Sequence, residues 1–454
     1  MLNTTVGYQK TYFSCLCLKY RVIMAVRRKR LGKRYILPGI VCVVLGVLAF
    51  TNNHLETKPI VLFSTLQPFK GKAWAKETGQ PETALIAMND VDLLYTKRRD
   101  HIRYVCDNIE ETSMRKPVAV LASQLWHIPS LNIIYCPLNE NDEPSWTHNL
   151  NIWLADESNL RSHSNTESKD IKRVHGKALW HTEDELQTAL KTSLKVIFTQ
   201  NPYWQLFRFY VNNFLSPSKH YLDVGKDIIT KFKKEPSLKN KQCGHNITFQ
   251  EFSRFVKSTP YKKKWAGVTQ KCDLCSVNYD IFGKEESFLQ DMAHVYRLSR
   301  PDTPIPHMSD IQARYDKDEI ESFVRSAFTR KDEIDCLSDH SIFIRLWRQL
   351  QIWGFISIGN NYPYSAKKSK TIEYPVMLNT VLTAYGESRN ITSSNKIDAF
   401  TLAFHQLTFN DVNEVRQFYR KDFTFMSEND HPARVFFKQG PKPEFEYFDV
   451  ISSD

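Results

Sequence analysis

One stretch constrains everything that follows it. From Tyr35 to Phe50 the chain reads YILPGIVCVVLGVLAF without a single charge, directly after the basic cluster Arg27, Arg28, Lys29, Arg30, Lys33 and Arg34. At a rise of 1.5 Å per residue, about 16 to 20 such residues just span a hydrocarbon core. A cleaved signal peptide has a short n-region and a small-residue cleavage site. Here about 34 residues precede the run, and Ala49-Phe50-Thr51 is a poor cleavage site. A buried core helix fits badly, because the charges crowd one end only. The expectation is an uncleaved transmembrane signal anchor over residues 35–52 behind a basic tail, residues 1–34. By the positive-inside rule that tail is cytosolic and the remainder is lumenal, a single-pass type II topology.

The charge balance supports this and excludes nucleic acid. Of 61 Lys and Arg, nine fall within residues 1–34, where there is no acid, leaving 52 basic against 50 acidic residues in the rest. A nucleic-acid footprint would instead be spread over a folded face. With 42% hydrophobic and 24% charged residues, the chain has a globular composition. A mean hydropathy of -0.43 excludes a polytopic membrane protein.

Cysteine usage fits a lumenal domain. Six of the nine cysteines follow the span: Cys106, Cys136, Cys243, Cys272, Cys275 and Cys336. An even number in an oxidising compartment predicts disulfides, with connectivity unreadable from sequence. Cys272-Asp-Leu-Cys275 has the form of half a zinc site, but no second such pair or paired His lies nearby, and no metal is expected. Asn246-Ile-Thr248 and Asn390-Ile-Thr392 are glycosylation sequons that suit lumenal exposure.

Residues 53–88, with scattered Pro and Gly, read as a stem, residues 89–430 as the folded domain, and 431–454 as a tail. Asp92 to Cys106 is expected as a helix with Leu93, Leu94, Ile102 and Val105 on its apolar side. Asn132–Cys136 is a short buried strand, followed by a polar loop to Ser145 and a helix from Trp146 to Ala155. Leu194–Thr199 is a second strand, broken at Asn201-Pro202. Trp204–Phe214 is then helical, with Leu206, Phe207, Tyr210 and Phe214 inward. Strand, loop and helix twice over predict an α/β domain with a central parallel sheet flanked by helices. Later segments are mostly helical: Thr248 and Glu251 form a capping-box pattern, and Ile342–Leu350 and Asp411–Tyr419 are amphipathic. Residues 357–396 read as an insertion carrying exposed loops.

The order of these pieces, together with Tyr279-Asp-Ile-Phe-Gly-Lys-Glu-Glu286 and Tyr419-Arg-Lys-Asp422-Phe423, resembles the Golgi carbohydrate sulfotransferases of the HNK-1, chondroitin and dermatan type. The resemblance covers roughly residues 90–426. It implies a P-loop-like sulfotransferase fold on a Golgi membrane anchor. It also implies transfer of a sulfo group from PAPS (3′-phosphoadenosine 5′-phosphosulfate) to a glycan hydroxyl. In that family a Pro-Lys-x-Gly/Ala-x-Thr-Asn-Trp loop cradles the 5′-phosphosulfate with backbone N–H groups, a helix N-terminus and a Lys. An Arg-x-Pro-x-x-Arg-Leu-x-Ser turn holds the 3′-phosphate.

This sequence departs from both motifs. Counting back from Trp146, the cradle positions are Asn139, Glu140, Asn141, Asp142, Glu143, Pro144 and Ser145, with Glu140 where the family has Lys. Pro144 also removes a backbone donor. In the second motif Gln200 stands for Arg and Arg208 for Ser, while Asn201, Pro202 and Leu206 persist. Two unit charges about 4 Å apart interact by roughly 4 kcal/mol at an effective dielectric near 20. Reversing Lys to Glu therefore forfeits about a thousandfold in affinity for a phosphosulfate.

Other readings stand beside these. The acidic loop 140–143 also reads as a solvated surface, a site for a basic partner, or a hard-cation site lacking EF-hand spacing. His127, His148, His175 and His181 are each of a type that deprotonates an acceptor hydroxyl, and no spacing favours one. Arg98, Arg99, His101 and Arg103 read as a solvated basic face or an anionic-sugar groove. The aromatics Tyr203, Trp204, Phe207, Phe209 and Tyr210 read as core rather than a sugar platform. Lys262–Lys264 and Lys367–Lys370 read as exposed charge runs. Two functions follow. One is a PAPS-dependent carbohydrate sulfotransferase. The other is a catalytically silent homologue that binds a glycan, a paralogue or a second copy of itself.

Overall fold

The computed structural model describes residues 88–108, 124–128, 131–138, 183–257, 264–302, 308–388, 392, 394–438 and 442–451. The expected anchor, the stem apart from Met88, the acidic loop and the helix after Trp146 lie outside these residues. Among the described residues no helix is long and apolar enough to cross a membrane.

A four-stranded sheet in the order β1-β2-β3-β4 sits at the centre. Strand β1 (Trp126–Ile128) runs antiparallel to β2 (Ile133–Tyr135) at one edge. Strands β2, β3 (Leu194–Thr199) and β4 (Ile281–Lys284) are parallel, with Tyr135 beside Val196 and Thr199 beside Lys284. Sequence patterning anticipates β2, β3 and the parallel pairing. The antiparallel edge strand is too short, at three residues, to announce itself.

Alternation along the strands divides the apolar side chains between two layers. Ile134, Ile197 and Phe282 join one core cluster with Ile102 and Val105 of helix α1 (Met88–Asn108). Ile133, Tyr135, Val196, Phe198 and Ile281 join the other, with Tyr95 of α1. Leu93 and Leu94, expected on the inner side of α1, are 49% and 42% exposed. Tyr95 holds the inner position instead, so the apolar stripe is turned from the expected one.

Short helices link the strands. Helix α2 (Glu183–Thr192) leads into β3. After β3, Asn201 caps α3 (Pro202–Tyr210), its side chain accepting from the Tyr203 N–H, with Pro202 in the first turn where no donor is needed. A π-turn over Val211–Leu215 ends that helix. Tyr203, Leu206, Phe207, Phe209, Tyr210 and Phe214 are all buried, so this aromatic cluster is core, as the sequence suggests. It packs against α4 (Leu222–Phe232) and α6 (Phe249–Phe255), with α5 (Leu238–Cys243) between them in sequence. The capping box of Thr248 and Glu251 is formed as expected.

Helix α7 (Val268–Cys272) precedes β4, and α8 (Phe288–Ser299) follows it. A helical layer is then built from α9 (Met308–Glu333), α10 (Asp339–Ile352) and α11 (Tyr374–Ser388) around Val324, Leu346, Met377 and Val381. The segment expected as exposed loops is thus largely helical, and Met377 and Val381 are fully buried in it. Helices α12 (Asn395–His405), α13 (Phe409–Phe418) and α14 (Arg420–Met426) complete the aromatic core. Beyond residue 430, in the expected tail, Val435, Phe436, Tyr447 and Val450 also pack into that core.

Candidate functional site

In open parallel sheets ligands bind outside the carboxyl ends of the strands, where loops lead into helices. Here the ends of β2, β3 and β4 lie side by side. The exit of β2 is fixed covalently by the Cys136–Cys272 disulfide. Lys271 Nζ donates to the Leu138 carbonyl just beyond it. A second disulfide, Cys106–Cys275, ties α1 to the same turn. The expected disulfides are therefore present, and Cys272 and Cys275 are disulfide partners rather than half of a zinc site. Among the described residues no cluster of His, Cys, Asp and Glu is arranged to hold a metal. Asn139, Glu140, Asn141, Asp142, Glu143, Pro144 and Ser145 lie outside the described residues, as do His148, His175 and His181.

The β3 exit carries the other predicted positions. Gln200 is half-buried and Asn201 caps α3. Further along α3, Arg208 Nη2 donates to Glu285 Oε1 directly after β4, and its guanidinium lies 5.6 Å from the Trp353 ring. Lys396 Nζ approaches the same Glu285 oxygen at 3.4 Å and sits over Trp204 and Trp353 at 5.3 and 5.6 Å. Lys284 Nζ meets Glu428 Oε1 at 2.7 Å, and the other Glu428 oxygen accepts from Asn201 Nδ2 at 3.2 Å. Gln205, at the family's second Arg position, donates to the buried Ala266 carbonyl at 3.2 Å.

The electrostatics follow from these pairs. Burial alone would raise the Glu285 carboxyl, but the charges of Arg208 and Lys396 hold it below its ordinary value. Burial raises Glu286, and the neighbouring Glu428 and Glu285 add to the rise. Burial also raises Glu319, against the pull of Arg208 and Lys396. Arg208 and Lys396 therefore share the Glu285 carboxylate, and Lys284 is paired with Glu428. A 3′-phosphate entering here would have to displace Glu285 or Glu428 and then sit beside it. Among the described residues, those at the β3 and β4 exits do not fit the 3′-phosphate of PAPS.

The two motifs that carry the resemblance prove to be structural clamps. Tyr279 donates to the Cys272 carbonyl at 2.9 Å. Asp280 takes both the backbone N–H and the ammonium of Lys195, at 2.8 and 2.7 Å, pinning β4 to β3. A Cβ on Gly283 would stand 2.5 Å from the Phe198 ring, so only glycine lets the strands meet there. Tyr419 donates to the Trp265 carbonyl at 2.7 Å. The Asp422 carboxylate receives the Thr269 N–H and hydroxyl at 2.9 and 3.1 Å, at the start of α7.

Other expectations divide. Arg98 is not part of an open sugar groove: it donates to Asp291 and to the Phe282 carbonyl. His101 Nε2 contacts the Thr424 carbonyl at 2.9 Å. Arg99 and Arg103 do line a surface cavity of about 500 Å³ beside the Cys106–Cys275 bridge. His127 lies midway along the edge strand, paired with Ile134, away from the β3 and β4 exits, and burial lowers its basicity. Asn246 corrects the expectation of an exposed sequon: it is 4% exposed. Asn390 lies outside the described residues. Glu285, Glu428 and Lys396 are site residues that the sequence reading does not single out. Lys284-Glu285 directly after a strand is the available signal.

An α/β domain with parallel strands, pinned by the Tyr279–Glu286 and Tyr419–Phe423 motifs, resembles a sulfotransferase domain. A family model described as sulfotransferase family matches residues 123–334. Carbohydrate sulfotransferase 11 of Rattus norvegicus is 21% identical over 230 residues, 47% of this chain and 64% of that protein. Carbohydrate sulfotransferase 9 of Homo sapiens is 25% identical over 236 residues, 47% and 51%. Carbohydrate sulfotransferase 14 of Danio rerio is 26% identical over 115 residues, 25% and 31%. The chain thus spans less than two thirds of the length of each of these relatives. No solved structure matches.

Proposed function

We propose that this chain is a carbohydrate-directed sulfotransferase homologue of the Golgi lumen, membrane-anchored through residues 35–52, in which donor binding is lost or strongly weakened. Its role is then to engage a glycan chain, or a catalytically active relative, rather than to turn over PAPS. The observation that carries this reading is the pairing of Arg208 with Glu285 and of Lys284 with Glu428. Two carboxylates of the chain itself offset most of the charge of Arg208, Lys284 and Lys396. Glu140 at the cradle Lys position and Gln200 at the Arg position point the same way. The second reading, an active enzyme moving a sulfo group from PAPS to a glycan hydroxyl, is favoured by the names of the relatives and by the retained clamp motifs.

Titration calorimetry of the full chain in detergent with adenosine 3′,5′-bisphosphate, at low salt where charge effects are largest, separates the two. The silent reading expects no binding tighter than millimolar. Micromolar binding, with sulfo transfer from labelled PAPS to a mixed glycan pool, overturns it and establishes the enzyme.

A further inference from the structure

Four of the six cysteines after residue 52 are paired, in Cys106–Cys275 and Cys136–Cys272, and two remain as thiols, Cys243 and Cys336. They lie 93 residues apart in sequence, yet the fold brings them together. Cys243 is buried at the end of α5. The next residue, Gly244, has φ +66°, and a Cβ there would stand 2.0 Å from the Leu222 carbonyl oxygen. The end of α5 is thereby pressed onto the first turn of α4. Leu222 in that turn packs against the helical core around α9 and α10, and so does Cys336, in the turn joining those two helices. Cys336 is close enough that, after burial, it is the chief group raising the Cys243 thiol. The Lys226 ammonium, paired with Asp223 at 2.9 Å, feels both sulfurs.

We propose that Cys243 and Cys336 are the site of a third disulfide. It would cross-link the helices that follow the sheet's β3 exit to the α9–α10 layer. The oxidant is a disulfide of the secretory compartment, either oxidised glutathione or an oxidoreductase. Cys336 is the more exposed of the pair. Its thiolate attacks the oxidant and forms a mixed disulfide, releasing one oxidant thiol. The Cys243 thiolate then attacks the Cys336 sulfur and expels the second. The two protein thiols lose two protons and two electrons, and one oxidant disulfide becomes two thiols. Burial pushes the Cys243 thiol up to about 11. Cys243 is therefore a poor nucleophile towards bulk reagents, and the bond forms through Cys336.

The inference rests on the lumenal placement proposed above, and the two bridged pairs serve as its internal reference. The full chain, expressed through a secretory pathway, is unfolded in an alkylating reagent and digested with trypsin without reduction. The third bond gives residues 242–254 linked to residues 332–345, a species lost on reduction. Recovery of both peptides alkylated, with the other two bridges intact, overturns the inference while leaving the placement standing. If all six cysteines are alkylated, the placement fails, and the pair is then decided by titrating the folded chain with oxidised glutathione. The intramolecular link upholds the inference. Stable glutathione adducts on Cys336, or a disulfide dimer, overturn it. Cys243→Ser with Cys336→Ser should lower the melting temperature of the oxidised protein and leave that of the reduced protein nearly unchanged.

Discussion

Lys284 Nζ lies 2.7 Å from Glu428 Oε1 although 144 residues separate them in sequence. This contact closes the exit of β4 against the segment after α14 and also holds Asn201, the cap of α3, through the other Glu428 oxygen. With Arg208 and Lys396 on Glu285, it sets two carboxylates against three cations and leaves the edge only weakly basic. Replacing Glu285 and Glu428 by Gln keeps the shapes and removes two negative charges. The double variant is expected to bind adenosine 3′,5′-bisphosphate at least about tenfold more tightly than wild type, about 1.4 kcal/mol, with a steeper salt dependence. Calorimetry at two ionic strengths checks this, and unchanged affinity would show that these carboxylates do not guard the site.

Asn246 is expected to carry no glycan in the folded protein. Its side-chain oxygen accepts from the buried Arg345, its carbonyl takes the Lys233 ammonium at 2.6 Å, and its φ is 62°. A sugar on Nδ2 has no room at that position. Glycosidase treatment should leave the mass of peptide 242–254 unchanged. Asn246→Ala removes the side-chain acceptor of a buried guanidinium and puts at a left-handed position a residue that adopts it less readily than Asn. A loss of about 2–3 kcal/mol is expected in denaturant titration. A glycan found stoichiometrically at Asn246 would sink this account.

Patterning makes much of the fold legible, and the places where it fails share a cause. Strands β2 and β3 are continuous apolar runs bounded by polar turns, so short-range physics specifies them. The helix after Asn201-Pro202 and the Thr248 capping box are likewise set by neighbours in sequence. What cannot be read is long-range. The choice of Tyr95 over Leu93 and Leu94 for the inner face of α1 depends on Asp291 and His294, about two hundred residues away. The burial of the Asn246 sequon depends on Arg345. At the site, substitution of Arg by Gln200 is visible in one dimension. The recruitment of Glu285 and Glu428 onto the remaining cations is visible only in three.

Asp291 is expected to be among the most sensitive positions in the domain. It is 1% exposed and accepts from Tyr95, from Arg98 at 3.1 and 3.2 Å, from the Lys284 N–H at 2.6 Å and from Ser287 at 2.7 Å. One carboxylate thus joins α1, the end of β4 and the start of α8. Asp291→Ala strands a partly buried guanidinium, a change that costs about 3–5 kcal/mol in comparable sites. Thermal and denaturant unfolding of the full chain measure it. A loss below about 1 kcal/mol, the range of an exposed pair, would mean that these contacts are not formed in solution.

Asp422 gives the domain a pH dependence of definite sign. Its carboxyl is pushed up to about 6 by burial, only partly offset by the hydrogen bonds from Thr269. One of its oxygens is buried with no hydrogen-bond partner among the described residues. In the unfolded chain the same group titrates near 4. Because the folded value is the higher one, the folded state holds the proton more tightly. This contribution is fully present below about pH 4 and is lost as the pH rises through about 6. The difference between the folded and unfolded values corresponds to about 3 kcal/mol. Asp422→Asn keeps the acceptor for Thr269 and removes the titration. Stability against pH, followed from about 4 to about 7.5, should fall more steeply in wild type than in the variant, and the variant should be the more stable above about pH 6. Parallel profiles would place the Asp422 carboxyl near its ordinary value and remove the strain assigned to its burial.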